Sequence, residues 1–222
     1  MILHDRASPN HGPRPAGKPV DMLVLHYTGM RSAGEALDRL CDPEAEVGAH
    51  YLVDEDGTVW RLVPEDRRAW HAGRSFWAGE TDINGVSIGI ELVNPGHEFG
   101  YRPFPEAQLA ALEALARGIL ARHAIPAKRV LGHSDVAPQR KQDPGELFPW
   151  ERLARAGIGI WPGPAVPAEG AAPERLLAAI GYEVAEPVGA VIAAFQRHWR
   201  PRRCDGVVDT ETLAMMAAVA AS

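Results

Sequence analysis

The sequence predicts an α/β domain followed by a small helical module, and three observations support this fold class. The apolar run Met22–Leu25 is typical of a strand buried on both faces of a sheet. Two β-rich runs, 50–53 and 58–63, flank the turn segment 54–57, which is the pattern of a β-hairpin. A Pro- and Gly-rich stretch at 161–173 then precedes three short helical stretches.

The first part of the chain alternates between strand and helix signals. Residues 1–20 show no periodicity, so we expect an extended lead-in to the first strand. Ser32 and Glu35 form the S-x-x-E capping pattern of a helix that runs to about Asp42. Residues 64–85 are irregular, and a loop of this length inside a compact domain is usually functional.

The elements after this loop follow from apolar patterning. Val86–Val93 predicts another strand, and a helix with one apolar face is expected from Pro105 to about Ala124. A short strand at Arg129–His133 and a short helix at Pro149–Ala156 complete the larger domain.

The change in composition at 161 divides the chain into a domain at 1–160, a linker at 161–173 and a helical domain at 174–222. The last of these carries helical stretches at about 173–180, 188–199 and 209–220. A three-helix unit of this size is marginal alone, so we expect it to dock on the first domain.

Composition excludes several classes of protein. The net charge of −6 and a pI near 5.8 argue against a nucleic-acid partner. Cys41 and Cys204 form no disulfide framework and are expected to be free thiols. The N-terminus lacks a signal-peptide pattern, and no apolar run approaches the roughly 20 residues of a membrane span. We therefore expect a cytoplasmic monomer, with export to the periplasm by an unusual route as the alternative.

The segment 130–145 concentrates ionisable residues between proline and glycine. His133, Lys141 and Asp143 lie within it, and His26 stands at the end of the first strand. Zinc takes imidazole and carboxylate ligands, and a catalytic site leaves a fourth position open for water. By spacing alone the pattern is weak, because a histidine at a strand end is more often a hydrogen-bonded core or surface residue. Glu91 is more informative, since a carboxylate in an apolar strand is costly unless it is paired or functional.

Five motifs occur in the order found in one enzyme family: LHYTG (25–29), AHYLVDEDGTVWRLVPE (49–65), AWHAG (69–73), SIGIELVN (87–94) and GHSDVAPQRKQDPG (132–145). Over about residues 15–156 the chain resembles the zinc-dependent N-acetylmuramoyl-L-alanine amidases of type 2. This family includes the AmpD and AmiD enzymes and is related to peptidoglycan-recognition proteins. The resemblance implies a mixed central β-sheet flanked by helices.

The resemblance also implies roles for particular residues. His26, His133 and Asp143 match the ligands of one zinc ion per chain, Glu91 matches the catalytic acid–base residue, and Lys141 matches the lysine that stabilises the oxyanion. The implied reaction is hydrolysis of the amide between the lactyl group of N-acetylmuramic acid and L-alanine, in peptidoglycan or muropeptides. The alternative is a protein that recognises peptidoglycan without catalysis.

Other positions match the family with less specific roles. Trp70, His71 and Asn84 resemble residues along the substrate groove, with loop packing as the alternative. His50 is expected to support the site, and Asp135 either orients a ligand or caps the loop backbone.

The helical module carries a looser resemblance. Phe195-Gln196, Asp205-Gly206 and Asp209–Thr212 match the FQ…DGxxDxxT marker of a three-helix peptidoglycan-binding domain. The alternative is a helix bundle that only braces the amidase domain. His198 fits no motif and is expected to be a solvent or packing residue.

Overall fold

A mixed β-sheet forms the centre of the protein, as predicted. The structure is a computed structural model and describes residues 3–163 and 170–222. The strands are β1 Leu3–Asp5, β2 His11–Pro13, β3 Met22–Tyr27, β4 Tyr51–Val53, β5 Val59–Arg61, β6 Arg67–Ala69, β7 Ser87–Leu92 and β8 Val130–Gly132. Six of them form one sheet in the order β1-β5-β4-β7-β3-β8, while β2 and β6 pair separately. Strands β4 and β5 form the predicted antiparallel hairpin, and the other neighbours in this sheet pair parallel.

Helices cover both faces of this sheet. They are α1 Ala33–Cys41, α2 Ile83–Val86, α3 Gly96–Phe99, α4 Glu106–Arg122, α5 His133–Val136, α6 Trp150–Arg155, α7 Pro173–Ile180, α8 Val188–Trp199 and α9 Thr210–Ala221. The predicted cap of α1 is present, because the Ser32 hydroxyl accepts a hydrogen bond from the backbone N–H of Glu35 at 3.2 Å. Helices α7, α8 and α9, here called the C-terminal helices, fall close to their predicted ranges.

Three local expectations were wrong. The lead-in contains strands β1 and β2, and the expected loop at 64–85 contains β6 and α2. Both segments lie along sheet edges, where their backbone groups find hydrogen-bond partners that a free loop would lack. The strand expected at Arg129–His133 ends at Gly132, so that His133 opens α5. Residues 164–169 of the predicted linker lie outside the described part of the chain.

Strand β3 is buried on both faces, and each face packs against a different layer. Met22–Leu25 are all 0% exposed. Leu23 and Leu25 belong to an apolar cluster with α4. Met22 and Val24 belong to a second cluster, to which the C-terminal helices contribute Leu177, Val191, Phe195 and Met216. The C-terminal helices therefore dock on the larger domain as expected and form one of the two layers that enclose the sheet.

Cys41 and Cys204 are free thiols, as predicted. Across residues 3–163 and 170–222, no helix combines the length and the apolar character that crossing a membrane requires.

A partly buried ionic cluster links the C-terminal end of α4 to Glu65, which follows β5. The Glu65 carboxylate accepts hydrogen bonds from Tyr51 Oη at 2.7 Å, Arg122 Nη2 at 2.7 Å and His123 Nε2 at 2.7 Å. Burial alone would raise the pKa of Glu65, but the hydrogen bonds from Arg122, Tyr51 and His123 lower the pKa to about 2. The cluster therefore stabilises the fold while Glu65 is ionised.

The variant Glu65→Gln is expected to lose about 1–3 kcal/mol of unfolding free energy at pH 7. Because the folded-state pKa is depressed, this contribution is complete above the ordinary pKa of 4.5 and disappears as the pH falls towards 2. Urea unfolding of metal-free protein at pH 7 and pH 3 measures the difference. Glu55→Gln, which removes a more exposed carboxylate bound to Arg102, is the control. An equal loss for Glu65→Gln at both pH values would contradict the prediction.

Candidate metal centre

Three neighbouring parallel strands place the residues of the predicted site side by side at their carboxyl ends. His26 on β3 lies opposite Glu91 on β7 in the strand register, and Leu25 lies opposite Gly132 on β8. His133 follows Gly132 directly and therefore comes beside His26. Functional groups commonly collect at the carboxyl ends of parallel strands for this reason.

The three predicted ligands meet at a single point. His26 Nδ1 lies 2.9 Å from His133 Nδ1, and each of these atoms lies 3.1 Å from Asp143 Oδ2. All three residues are buried, and their donor atoms lie within 4.8 Å of one another. A tetrahedral zinc ion with ligand bonds of roughly 2.0–2.1 Å would separate its donors by about 3.3 Å. The observed triangle is within a few tenths of an ångström of that size.

A directional chain of hydrogen bonds determines which nitrogen of His26 carries the proton. The Ser87 hydroxyl lies 2.6 Å from the Ile83 carbonyl, which can only accept, so the hydroxyl donates. His71 Nε2 at 2.9 Å must then donate to Ser87 Oγ. His71 Nδ1 is left to accept from His26 Nε2 at 3.0 Å. His26 Nδ1 is therefore unprotonated and faces the donor triangle.

The second histidine is fixed in the same way. His133 Nε2 lies 3.0 Å from the Ala72 carbonyl and donates to it, so the neutral ring turns its Nδ1 lone pair towards the donor triangle. Burial and the neighbouring His133 lower the pKa of His26 to about 4. Burial alone would raise the pKa of Asp143, but His133 and His26 lower it well below its usual range. When both imidazoles are neutral, the site consists of two nitrogen lone pairs and a carboxylate.

This electronic arrangement fits a metal ion. Two nitrogen lone pairs and a carboxylate oxygen point at one another across about 3 Å and repel unless a cation lies between them. The outer nitrogens of both histidines are already hydrogen-bonded, which is how metal-binding imidazoles are usually oriented. His26, His133 and Asp143 could accordingly hold a metal ion.

His71 lies beneath this site and packs on Gly89 of β7, a strand position that has no room for a side chain. A Cβ atom placed on Gly89 would come within 2.4 Å of the His71 ring. His50 holds the same strand, because its Nδ1 accepts from the Gly89 N–H at 2.9 Å, while its Nε2 donates to the Arg67 carbonyl at 3.0 Å. His50 thus supports His71 rather than contacting the donor triangle.

A cavity of about 360 Å³ opens beside the donor triangle. Glu91, Lys141, Trp70 and His71 line it together with His133 and Asp143. Within the described residues, Glu91 Oε2 is a buried oxygen with no hydrogen-bond partner. Burial and the nearby Asp143 charge raise the pKa of Glu91 well above its usual value, and Lys141 opposes the shift. An unpartnered carboxylate of this kind is suited to accepting and releasing a proton.

The remaining predicted residues lie behind the cavity wall. Asn84 is buried, and its Oδ1 accepts from the backbone N–H groups of His71 at 3.1 Å and Ala72 at 2.8 Å. Asn84 therefore holds the loop that carries Trp70 and His71. Of the two alternatives stated for Asn84, its contacts correspond to loop packing. Asp135 is 1% exposed, and its Oδ2 accepts from the Gly132 N–H at 2.7 Å, so it caps the turn of α5.

Sequence reasoning missed the contacts of three residues that support the site. Ser87 contacts His71, and Tyr182 and His198 contact Asp135. Of the two alternatives expected for His198, solvent exposure was wrong and packing was right, because the residue is 2% exposed; in addition, its Nδ1 lies 2.7 Å from Asp135 Oδ2. A signal was present in the sequence. His198 follows Val191 and Phe195 at helical spacing, which puts it on the buried face of α8.

Comparisons with known proteins agree with this geometry. The family described as N-acetylmuramoyl-L-alanine amidase matches residues 16–146. The chain is 41% identical to the N-acetylmuramoyl-L-alanine amidase AmiD of Escherichia coli, over 90% of this chain and 82% of AmiD. It is 36% identical to the 1,6-anhydro-N-acetylmuramyl-L-alanine amidase AmpD of Enterobacter cloacae, over 66% of this chain and 85% of AmpD.

Solved structures extend the likeness to the full fold. The complex of E. coli AmiD with the substrate anhydro-N-acetylmuramic acid-L-Ala-D-γ-Glu-L-Lys is similar with a TM-score of 0.82 and 40% identity, covering 92% of this chain and 90% of that one. AmpDh3 from Pseudomonas aeruginosa, in complex with an anhydromuramic pentapeptide, is similar with a TM-score of 0.82 and 34% identity, covering 92% of each chain. The chain therefore belongs to the N-acetylmuramoyl-L-alanine amidase family.

Proposed function

We propose that this protein hydrolyses the amide between the lactyl group of N-acetylmuramic acid and L-alanine, using one zinc ion held by His26, His133 and Asp143. The observation that carries the proposal is the convergence of two imidazole nitrogens and a carboxylate oxygen beside a cavity. The ligands bound by AmiD and AmpDh3 support a soluble anhydro-muropeptide as the substrate.

The donor set favours zinc among the biological divalent metals. Two imidazoles and one carboxylate form a set common in catalytic zinc sites, whereas magnesium and calcium prefer oxygen ligands throughout. A bound zinc ion supplies Lewis-acid chemistry, lowering the pKa of a water molecule towards 7 and polarising a carbonyl group.

The chain itself supplies proton transfer and charge stabilisation. Glu91 takes a proton from the attacking water through its unpartnered oxygen and delivers it to the departing amine of L-alanine. The Lys141 ammonium, on the same cavity wall, stabilises the negative charge that develops on the carbonyl oxygen. Trp70 offers an apolar surface to the substrate, and His71 keeps His26 in its metal-binding tautomer.

Metal removal tests the proposal directly. Protein purified without added metal is expected to contain one zinc ion per chain and to release L-Ala-containing peptide from anhydro-muropeptide, as followed by mass spectrometry. Chelation should lower the rate by more than about 100-fold, and zinc, but not magnesium, should restore it. Unchanged hydrolysis by metal-free protein would overturn the metal mechanism. Zinc binding without hydrolysis of either muropeptide or intact wall would favour a recognition protein instead.

A further inference from the structure

The turn formed by α5 sets the position of two of the three proposed ligands. His133 opens this turn, and the Asp135 carboxylate closes it by accepting the Gly132 N–H at 2.7 Å. Within the turn, the Ser134 N–H donates to the backbone carbonyl of Asp143 at 2.9 Å. A change in the turn would therefore move both His133 and Asp143.

The other two donors to Asp135 come from the C-terminal helices and the segment that joins them. Tyr182, between α7 and α8, donates its hydroxyl to Asp135 Oδ1 at 2.5 Å. His198, on α8, donates from Nδ1 to Asp135 Oδ2 at 2.7 Å. The His198 ring also stacks on Trp150, with ring centroids 3.8 Å apart and planes 19° from parallel. Because a buried carboxylate is costly without donors, these two bonds determine whether the turn keeps its shape.

The peptidoglycan-binding marker does not account for these contacts. Gln196 uses its side chain within the C-terminal helices, accepting from the Gly206 N–H at 2.8 Å and donating to the Val207 carbonyl at 3.0 Å. Asp209 caps α9 by accepting from the Thr212 N–H at 2.8 Å. These marker residues hold the α8–α9 connection, whereas Tyr182 and His198 lie outside the marker.

We propose that Tyr182 and His198 are positioning residues for the metal site, acting through Asp135 on the turn that presents His133 and Asp143. The inference rests on the proposed metal function of those ligands. It gives the C-terminal helices a role in ligand geometry that is independent of any contact with the cell wall.

The variant Tyr182→Phe removes one hydroxyl and tests this role. We expect its zinc dissociation constant, measured by competition with a chelator, to rise by about 10-fold, since loss of a bond behind a ligand typically weakens metal binding about 10- to 100-fold. The visible absorption spectrum of the cobalt-substituted protein should change as well, because it reports the geometry of the ligands.

Tyr51→Phe is the matched control, because it also removes a hydroxyl bound to a carboxylate, the partly buried Glu65 at 2.7 Å. Both variants should unfold at lower urea concentration, but only Tyr182→Phe should alter zinc affinity and the cobalt spectrum. If Tyr182→Phe left both metal readouts unchanged, the inference would be overturned. If the wild-type protein bound no zinc, the proposed function itself would fail, which is a distinguishable result.

A second pair of variants covers the case in which Tyr182→Phe does not fold. His198→Asn keeps a donor at the position of Nδ1, and His198→Phe keeps the ring without a donor. We expect zinc affinity to stay within about 3-fold of wild type in His198→Asn and to fall about 10-fold in His198→Phe. Equal affinity in the two variants would overturn the inference.

Discussion

Replacing Asp143 with alanine is expected to abolish zinc binding and amidase activity together. The substitution removes the one carboxylate donor of the triangle and leaves two imidazole nitrogens 2.9 Å apart. Loss of a residue behind a ligand costs about 10- to 100-fold in metal affinity, so loss of a ligand itself should exceed 100-fold in both affinity and kcat/KM. Zinc content and zinc-dependent thermal stabilisation measure the loss of zinc binding, and peptide release measures the loss of activity.

Glu146→Ala is a suitable control for this variant. It removes a partly exposed carboxylate three residues further along, whose partner is His97 at 3.1 Å. It should retain stoichiometric zinc and most of the activity. An Asp143→Ala protein that still bound one zinc ion tightly would show that the donor triangle is not the metal site.

Replacing Glu91 with glutamine is expected to separate catalysis from metal binding. Glutamine has nearly the same shape but cannot accept and return a proton, so kcat should fall by about 10²- to 10⁴-fold. Because Glu91 lies outside the donor triangle, zinc content should stay at one ion per chain. Steady-state kinetics on anhydro-muropeptide and metal analysis of the same preparation provide the two measurements.

The matched control is Glu113→Gln, which neutralises a largely buried carboxylate of α4 that is bound to Arg152. Its kcat should lie within about 3-fold of wild type. If Glu91→Gln also kept kcat in that range, proton transfer would have to be assigned to another group on the cavity wall.

Residue chemistry and family resemblance contributed differently to the predicted site. Glu91 could be singled out from its context alone, because an ionisable group in an apolar strand needs a partner or a function. His26, His133 and Asp143 could be predicted to meet only through the five motifs. Their distance in sequence hides the fact that β3 and β8 are neighbours.

Some residues that act through a second residue could not be predicted from the sequence. Ser87 contributes one hydroxyl to a chain that begins at the Ile83 carbonyl, and nothing in its local pattern distinguishes it from other strand serines. Asn84 matches a family position, yet its contacts are backbone N–H groups of a loop whose course depends on tertiary structure. The helical spacing of His198 predicts burial, but its partner Asp135 depends on how α8 docks.

The two-sided burial of β3 also has a consequence for how the protein is made. The apolar side chains of Met22 and Val24 emerge from the ribosome well before Phe195 and Met216, which belong to the same apolar cluster. Contacts so distant in sequence form slowly, and an uncovered apolar sheet face promotes aggregation of the nascent chain. Because α8 and the segment before it also supply the donors to Asp135, the cover of this sheet face and the turn that carries His133 depend on the same part of the chain.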